Sequence, residues 1–491
     1  MTQSLDHRSY DDLFIAGRWQ RPASDRRLAV ISPHTEEPIG EVPEAVPEDV
    51  DKAVAAARQA FDHGPWPRLS PAERMAKVEQ LAAVYARHVE EMADLITDEM
   101  GSPRRFSRQG QANGAAAMMH LGLAVGREFP WLERRQGVLG EVQLRRAPVG
   151  VVGAIVPWNV PQFVIMPKLI PALIAGCTIV VKPAPETPLD ALWLAEMLEE
   201  IELPEGVVSI LPGGRDVGEH LVRHPGVDKI AFTGSSAAGR RIAAICGEQL
   251  KRVSLELGGK SAAIILDDAD VGRTVGALKN AGLMNNGQAC VAQTRILVSD
   301  RRHDEVVDAL AEMMSGLQVG DPTDEATDVG PLVAQRQQHR VQGYIRSGAD
   351  EGARIVVGGD DAPADRGWYV RPTLFANARN DMRIAREEIF GPVLTVLRYT
   401  DEADAVRIAN DSDYGLAGSV WTDDVAHGLE VASAVRAGTY GVNMYNLDIS
   451  TPFGGFKQSG IGREFGAEGL AEYVELQAVV AKGAMPPLGA A

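Results

Sequence analysis

The chain has 491 residues, 45% hydrophobic and 24% charged, an ordinary balance for a soluble protein and long enough for about three domains. Its formal net charge of −18 argues against a nucleic-acid or anionic-membrane partner, since both need a basic face. The three cysteines, at 177, 246 and 290, are too few for a disulfide framework and point to the reducing cytoplasm.

Residues 1–12 are polar and lack the apolar core of a signal peptide. Residues 40–62 pass from an extended lead into a helix, with Asp49 and Asp51 at its first turn. Residues 70–101 continue in helix, opened by Ser70 as cap, Pro71 at the first position and Glu73 three residues on. A further helix is expected over 115–125. Residues 134–146 are polar and punctuated by Gly137 and Gly140, like two short strands forming an arm, although a solvated hairpin would read the same. The stretch 147–167 carries no formal charge, but Pro148, Pro157, Pro161 and Pro167 interrupt it. Buried strand, loop and helix explain it better than a membrane span.

From residue 149 apolar strands alternate with helices. Strands are expected at 149–156, 178–181, 207–211 and 229–233, with helices at 163–174, 189–201, 217–223 and 239–247. A second series follows, with strands at 262–266, 295–298 and 393–399 and helices at 271–284 and 303–316. Buried strands joined by helical crossovers indicate a doubly wound parallel sheet. Two series in sequence predict an α/β fold of two such units with a cleft between them. The Pro/Gly/Ala-rich tail 485–491 is expected to be loosely held.

The chemistry centres on Cys290, which ends the polar turn Asn286-Gly287-Gln288-Ala289-Cys290 after the 271–284 helix. As a thiolate it can attack a carbonyl. Glu256, in Glu256-Leu257-Gly258-Gly259-Lys260, can take a proton from that thiol or from water. An isolated Cys is more often a small buried hydrophobe, so the surrounding motifs decide. Phe232-Thr233-Gly234-Ser235 joins a strand to a helix, where backbone N–H groups attract phosphate. Pro157-Trp158-Asn159 ends a strand of the first series, and the Asn159 amide can donate to an oxyanion there. Lys182-Pro183-Ala184-Pro185-Glu186 ends another, within reach of a cofactor hydroxyl or phosphate.

Several other chemistries are excluded. Gly258-Gly259-Lys260-Ser261 imitates a P-loop, but Ser254 stands where its first glycine belongs. His220 and His224 lack a zinc-protease pattern, and Pro225 ends their element, so no metal is expected. There is no G-x-S-x-G elbow for a serine hydrolase.

Taken in order with Glu387-Glu388-Ile389-Phe390-Gly391-Pro392 and Pro452-Phe453-Gly454-Gly455, these motifs resemble the NAD(P)-dependent aldehyde dehydrogenase superfamily over residues 12–482. The resemblance implies two Rossmann-like α/β domains with a small β arm for oligomerisation. Residues 1–129 and 149–257 would bind the dinucleotide, 258–458 would carry the nucleophile, and 130–148 with 474–491 would form the arm of a dimer or tetramer. It makes Cys290 the nucleophile and Glu256 the general base. Asn159 and the Cys290 N–H would hold the oxyanion, and Glu464 would relay protons. Pro157, Trp158, Lys182, Glu186, Phe232, Gly234, Ser235, Leu257, Glu388 and Phe390 would contact the cofactor. Val160, Val164, Pro167, Met284, Val291, Leu447 and Phe453 would line the substrate channel. That wall is mostly aliphatic, so a medium-sized apolar aldehyde fits it best.

The implied reaction is thiolate addition to the aldehyde, hydride loss to the nicotinamide, and hydrolysis of the thioester by water that Glu256 activates. A coenzyme A-acylating relative, or a non-catalytic protein with the same fold, are the competing readings. One departure bears on the cofactor. NAD-preferring members often carry Glu three residues after the cofactor Lys, where it repels a 2′-phosphate. Here that place is Pro185, with Glu186 next, so NAD is expected with NADP use left open.

Overall fold

The computed structural model describes residues 8–482. The tail at 485–491 lies outside them. A sheet of eight strands runs in the order 460–461, 252–256, 229–233, 151–155, 178–182, 208–210, 13–15, 18–20. Its central strands are parallel, and Val151–Ile155 and Thr178–Lys182 are buried along their whole length, as strands covered by helices on both faces must be. The connections leave Val151–Ile155 toward 178–182 on one side and reach 229–233 on its other side. That reversal of strand order opens a crevice at the carboxyl ends of the strands.

The second sheet has seven strands, in the order 354–357, 373–378, 393–399, 295–299, 262–265, 418–421, 441–442. Only the 354–357 edge strand is antiparallel to its neighbour. Its strand Ala262–Ile265 lies parallel between Arg295–Ser299 and Gly418–Trp421. The two expected doubly wound sheets are therefore both present.

Strands Leu132–Gly137 and Gly140–Pro148 form the expected hairpin, and Val474–Val480 adds a third strand with Pro148 opposite Val474 and Val142 opposite Val480. Among the described residues the expected 474–491 part of the arm supplies a strand from Val474 to Val480, and 483–491 lie outside the described residues. A small sheet of residues 8–9, 38–43 and 27–31 completes the strands.

The expected helix over 70–101 is two helices, Pro71–Ala86 and Val89–Met100. Its start is as expected: Ser70 Oγ accepts from the Glu73 N–H at 3.2 Å, and Glu73 Oε2 accepts from the Ser70 N–H at 2.7 Å. The interruption falls at Arg87 and His88, whose helical hydrogen bonds tighten to the i−3 carbonyls of Val84 and Tyr85. A turn of π-helix, Ser107–Ala112, leads into Asn113–Glu128. The uncharged 147–167 stretch becomes strand Val151–Ile155 and the first half of helix Pro161–Ala175. Among the described residues no helix is long and apolar enough to cross a membrane, and no group of three His, Cys, Asp or Glu is placed to hold a metal ion.

Candidate active site

Helix Val271–Leu283 stops where Asn285 and Asn286 take left-handed φ of +54° and +62°, followed by Gly287 at +72°. Asn tolerates that region better than most residues, and here the side chains also anchor the turn. Asn286 donates to the Gly101 and Pro331 carbonyls at 2.9 and 2.8 Å and accepts from the Gly330 N–H at 2.7 Å. Asn285 donates to the Asn159 carbonyl at 2.8 Å. A Cβ on Gly287 would collide with the Gly391 carbonyl. The turn is therefore pinned on both sides before it presents Cys290, which is half-buried while Cys177 and Cys246 are buried.

The glycine pair after Glu256 is also explained by close approach. A Cβ on Gly259 would overlap the Cys290 carbonyl oxygen, and one on Gly258 would overlap the Glu388 carboxylate. Glu388 Oε1 accepts the Gly259 N–H at 3.0 Å. The loop that imitates a P-loop thus serves to bring the Cys290 turn and Glu388 together.

Asn159 Nδ2 donates to the Gln288 carbonyl at 2.9 Å, which leaves its second N–H hydrogen for another acceptor. Glu256 is 5% exposed, and its Oε2 has no hydrogen-bond partner. Burial first, and the nearby Glu464 carboxylate second, push the Glu256 carboxyl well above the usual range, against the pull of Lys168 and Arg463. Lys168, from helix Pro161–Ala175, donates to Glu464 Oε1 at 2.6 Å and to Thr233 Oγ1 at 2.8 Å. Burial likewise raises the Cys290 thiol, with the Glu256 and Glu388 charges adding to it. The backbone N–H groups of Cys290 and Val291 lower the thiol, but by less than burial and the two carboxylates raise it. What sets Cys290 apart from Cys177, whose thiol burial pushes up to about 11, is access.

Two cavities meet at these residues. The first, about 230 Å³, opens at the strand ends of the first sheet and is lined by Pro157, Trp158, Gly234, Ser235, Leu257, Glu388 and Phe390, together with Asn159, Glu256 and Cys290. Trp158 and Phe390 meet edge to face with centroids 5.4 Å apart. Ser235 caps helix Ser236–Glu248 by accepting the Ala238 N–H at 3.3 Å. Burial pushes the Glu388 acid up to about 7. Three of the expected cofactor residues do not line this cleft. Lys182 donates to the Pro183 and Gly213 carbonyls, both at 2.8 Å, and burial lowers it to about 8. Glu186 is ion-paired with Arg336, and Phe232 is buried directly beneath Gly234.

The second cavity, about 340 Å³, is lined by all seven of the expected channel residues and by Asn159, Glu256, Cys290 and Glu464. No Lys, Arg or His lines it. Phe106, Phe163, Tyr445 and Phe465 line it as well and were not anticipated. Phe163 was legible: on a helix that faces the site with Val160, Val164 and Pro167, position 163 shares their side. Lys168, Phe106 and Phe465 carry no such signal, since only the folded chain brings them to Cys290.

Known proteins resemble the chain over nearly its whole length. Residues 19–479 match the aldehyde dehydrogenase family. The geranial dehydrogenase of Castellaniella defragrans is 45% identical over 481 residues, covering 98% of this chain and 100% of that one. The crystal structure of a Mycobacterium tuberculosis aldehyde dehydrogenase complexed with NAD+ superposes with a TM-score of 0.95 at 46% identity, covering 98% of this chain and 99% of that one. A variant of Pseudomonas syringae aldehyde dehydrogenase C, complexed with NAD+ and octanal, gives a TM-score of 0.93 at 38% identity, covering 97% and 98%. The chain belongs to the aldehyde dehydrogenase family, oxidoreductases that act on the aldehyde group.

Proposed function

We propose that the protein oxidises medium-sized apolar aldehydes to carboxylic acids with NAD+, through a covalent intermediate on Cys290. The observation that carries this reading is the position of Cys290, Asn159 and Glu256 at the junction of the two cavities. One cavity sits at strand ends and the other is an apolar channel. Octanal in one structural neighbour and geranial in the name of one relative are apolar aldehydes of suitable size.

The residues of the first cavity fit a dinucleotide. The Ser235-capped N-terminus of helix Ser236–Glu248 suits a pyrophosphate. The buried Glu388 suits ribose hydroxyls, and the Trp158–Phe390 pair suits the nicotinamide side. The chemistry a bound NAD+ supplies is hydride acceptance. Cys290 Sγ adds to the aldehyde carbon as its thiol proton passes to solvent, and the oxygen takes the electron pair as an alkoxide. Asn159, through its free amide hydrogen, and the Cys290 N–H hold that charge. After oxidation Glu256 takes a proton from water, which attacks the Cys290 thioester, releases the acid and restores the thiol. Lys168 and Glu464 carry the proton onward from Glu256.

On cofactor choice, the Glu186–Arg336 pair reduces the charge that would repel a 2′-phosphate, so NAD+ is preferred with measurable NADP+ use. Residues 1–129, of which 1–7 lie outside the described residues, and 149–257 form the dinucleotide unit, and 258–458 the nucleophile unit. The hairpin at 130–148, with the strand from 474, is an oligomerisation arm. Its apolar Leu476 and Val480 are exposed, at 66% and 59%, and a second copy would cover them in the cytoplasm. Assaying short, medium and long aliphatic aldehydes with both cofactors, in wild type and Cys290→Ala, tests the proposal. Medium aliphatic aldehydes should be preferred and the variant should be inactive. Turnover by Cys290→Ala contradicts the covalent route.

A further inference from the structure

Phe465, the residue after Glu464, holds φ +60° and ψ 167°, a region almost reserved for glycine. Its neighbours fix it there. The Glu464 N–H donates to the Phe453 carbonyl at 2.7 Å, the Phe453 N–H donates back to the Glu464 carbonyl at 2.8 Å, and the Phe465 carbonyl accepts from the Gly469 N–H at 2.8 Å. This backbone delivers the ring between Phe163, at 6.1 Å between centroids and edge-on, and Phe453, at 5.9 Å. A bulky side chain in an unfavourable conformation persists only where the surroundings enforce it.

The ring stands between two spaces. On one side is the channel of about 340 Å³ that begins at Cys290. On the other is a recess of about 40 Å³ among helices Asn113–Glu128, Pro161–Ala175 and Gly466–Ala471, with no charged or polar side chain in its lining. Three residues line both spaces: Pro167, Ile449 and Phe465. Pro167 is fixed within a helix, and Phe465 presents the largest side chain of the three. Beyond it the recess is walled by Leu121, Ile170 and Leu470.

We propose that Phe465 is the specificity-determining partition of the channel: its ring sets how far an aldehyde's apolar tail can run past the thiol, and its removal joins the channel to the recess. The proposal rests on the reading that the larger cavity receives the aldehyde's tail. A tail that fills the joined space would bind more tightly because it leaves water for an apolar surface. Short aldehydes would gain nothing.

The test is the kcat/KM profile over butanal, hexanal, octanal, decanal and dodecanal, for wild type, Phe465→Leu, Phe465→Ala, Leu121→Phe and the double variant Phe465→Ala with Leu121→Phe. Leu121 lines the recess only, so Leu121→Phe alone should leave the profile unchanged. In Phe465→Ala the dodecanal-to-butanal ratio should rise about tenfold or more, the scale of one or two methylenes in an apolar pocket. The change should appear as a lower KM for long aldehydes with kcat retained. Phe465→Leu should fall between, and provides the comparison if the Ala variant folds poorly. Filling the recess in the double variant should return the ratio toward wild type. An unshifted ratio, an equal fall for every aldehyde, or no reversal in the double variant would overturn the partition. Wild type inactive on every aliphatic aldehyde would instead overturn the proposed function, and the inference with it.

Discussion

Lys168 Nζ lies 2.6 Å from Glu464 Oε1, with the lysine 1% exposed and the carboxylate 8% exposed. Removing one partner of such a buried pair strands the other charge and costs ~3–5 kcal/mol. Lys168 is also the larger of the two influences that lower the Glu256 carboxyl. Lys168→Met should therefore lower Tm and also move the alkaline-rising limb of the pH–rate profile to higher pH. A stability loss with an unmoved limb would show that Lys168 is structural only.

Glu256 should make activity climb with pH. Burial and Glu464 raise its carboxyl, so the base form appears only as pH rises through that elevated value. Glu256→Gln should slow turnover by ~10²-fold or more and flatten the limb. An unchanged steady-state rate would move the base role to another group, Glu464 first.

The same raised carboxyl makes a stability prediction. The folded state holds this proton more tightly than the unfolded chain, whose Glu titrates near ~4.3. The folded protein is therefore penalised progressively as pH rises above that value, and not below it. Glu256→Gln removes the penalty. Its Tm should exceed that of wild type at pH 8, with the difference fading toward pH 4. Equal Tm differences at both pH values would contradict the burial of an ionising group here.

Alkylation should separate the cysteines by access. Iodoacetamide should label half-buried Cys290 before buried Cys177 and Cys246. Peptide mapping at partial modification reads the order. Labelling of Cys177 first would place the accessible thiol elsewhere.

On the proposed reading, Glu186 tunes the cofactor choice. Arg336→Ala should free that carboxylate and sharpen NAD+ over NADP+, as should Pro185→Glu by adding a charge one position earlier. Each tenfold change in the kcat/KM ratio corresponds to about 1.4 kcal/mol. Unchanged ratios in both variants would show that backbone contacts do the discriminating.

Much of this architecture was legible because local signals agreed with the global fold. Ser70-Pro71 and Glu73 announced a helix start by chemistry that acts within one turn. The continuous apolar run at 149–156 announced a strand buried on both faces, which forms over Val151–Ile155. The break at Arg87 and His88 was not legible, since no proline or glycine marks it. The strand Leu13–Ile15 and the edge strand Arg18–Gln20 were not legible either, because short antiparallel additions carry no crossover signal. At the site, motif residues could be placed by resemblance. Lys168 and Phe465 depend on contacts across 296 residues of sequence (Lys168 to Glu464) and across the Phe163–Phe465 pair, which no local pattern encodes. Glu186 illustrates the limit from the other side, since its neighbours in sequence gave no sign of the pairing with Arg336.

Intact-mass analysis of Glu256→Gln after rapid mixing with octanal and NAD+ tests the covalent account most directly. Slowed hydrolysis should leave the protein heavier by one octanoyl group, mapped to Cys290, with NADH formed in a burst equal to the number of active sites. The double variant that also carries Cys290→Ala should show neither. A burst without an adduct, or an adduct that persists without Cys290, would contradict the mechanism.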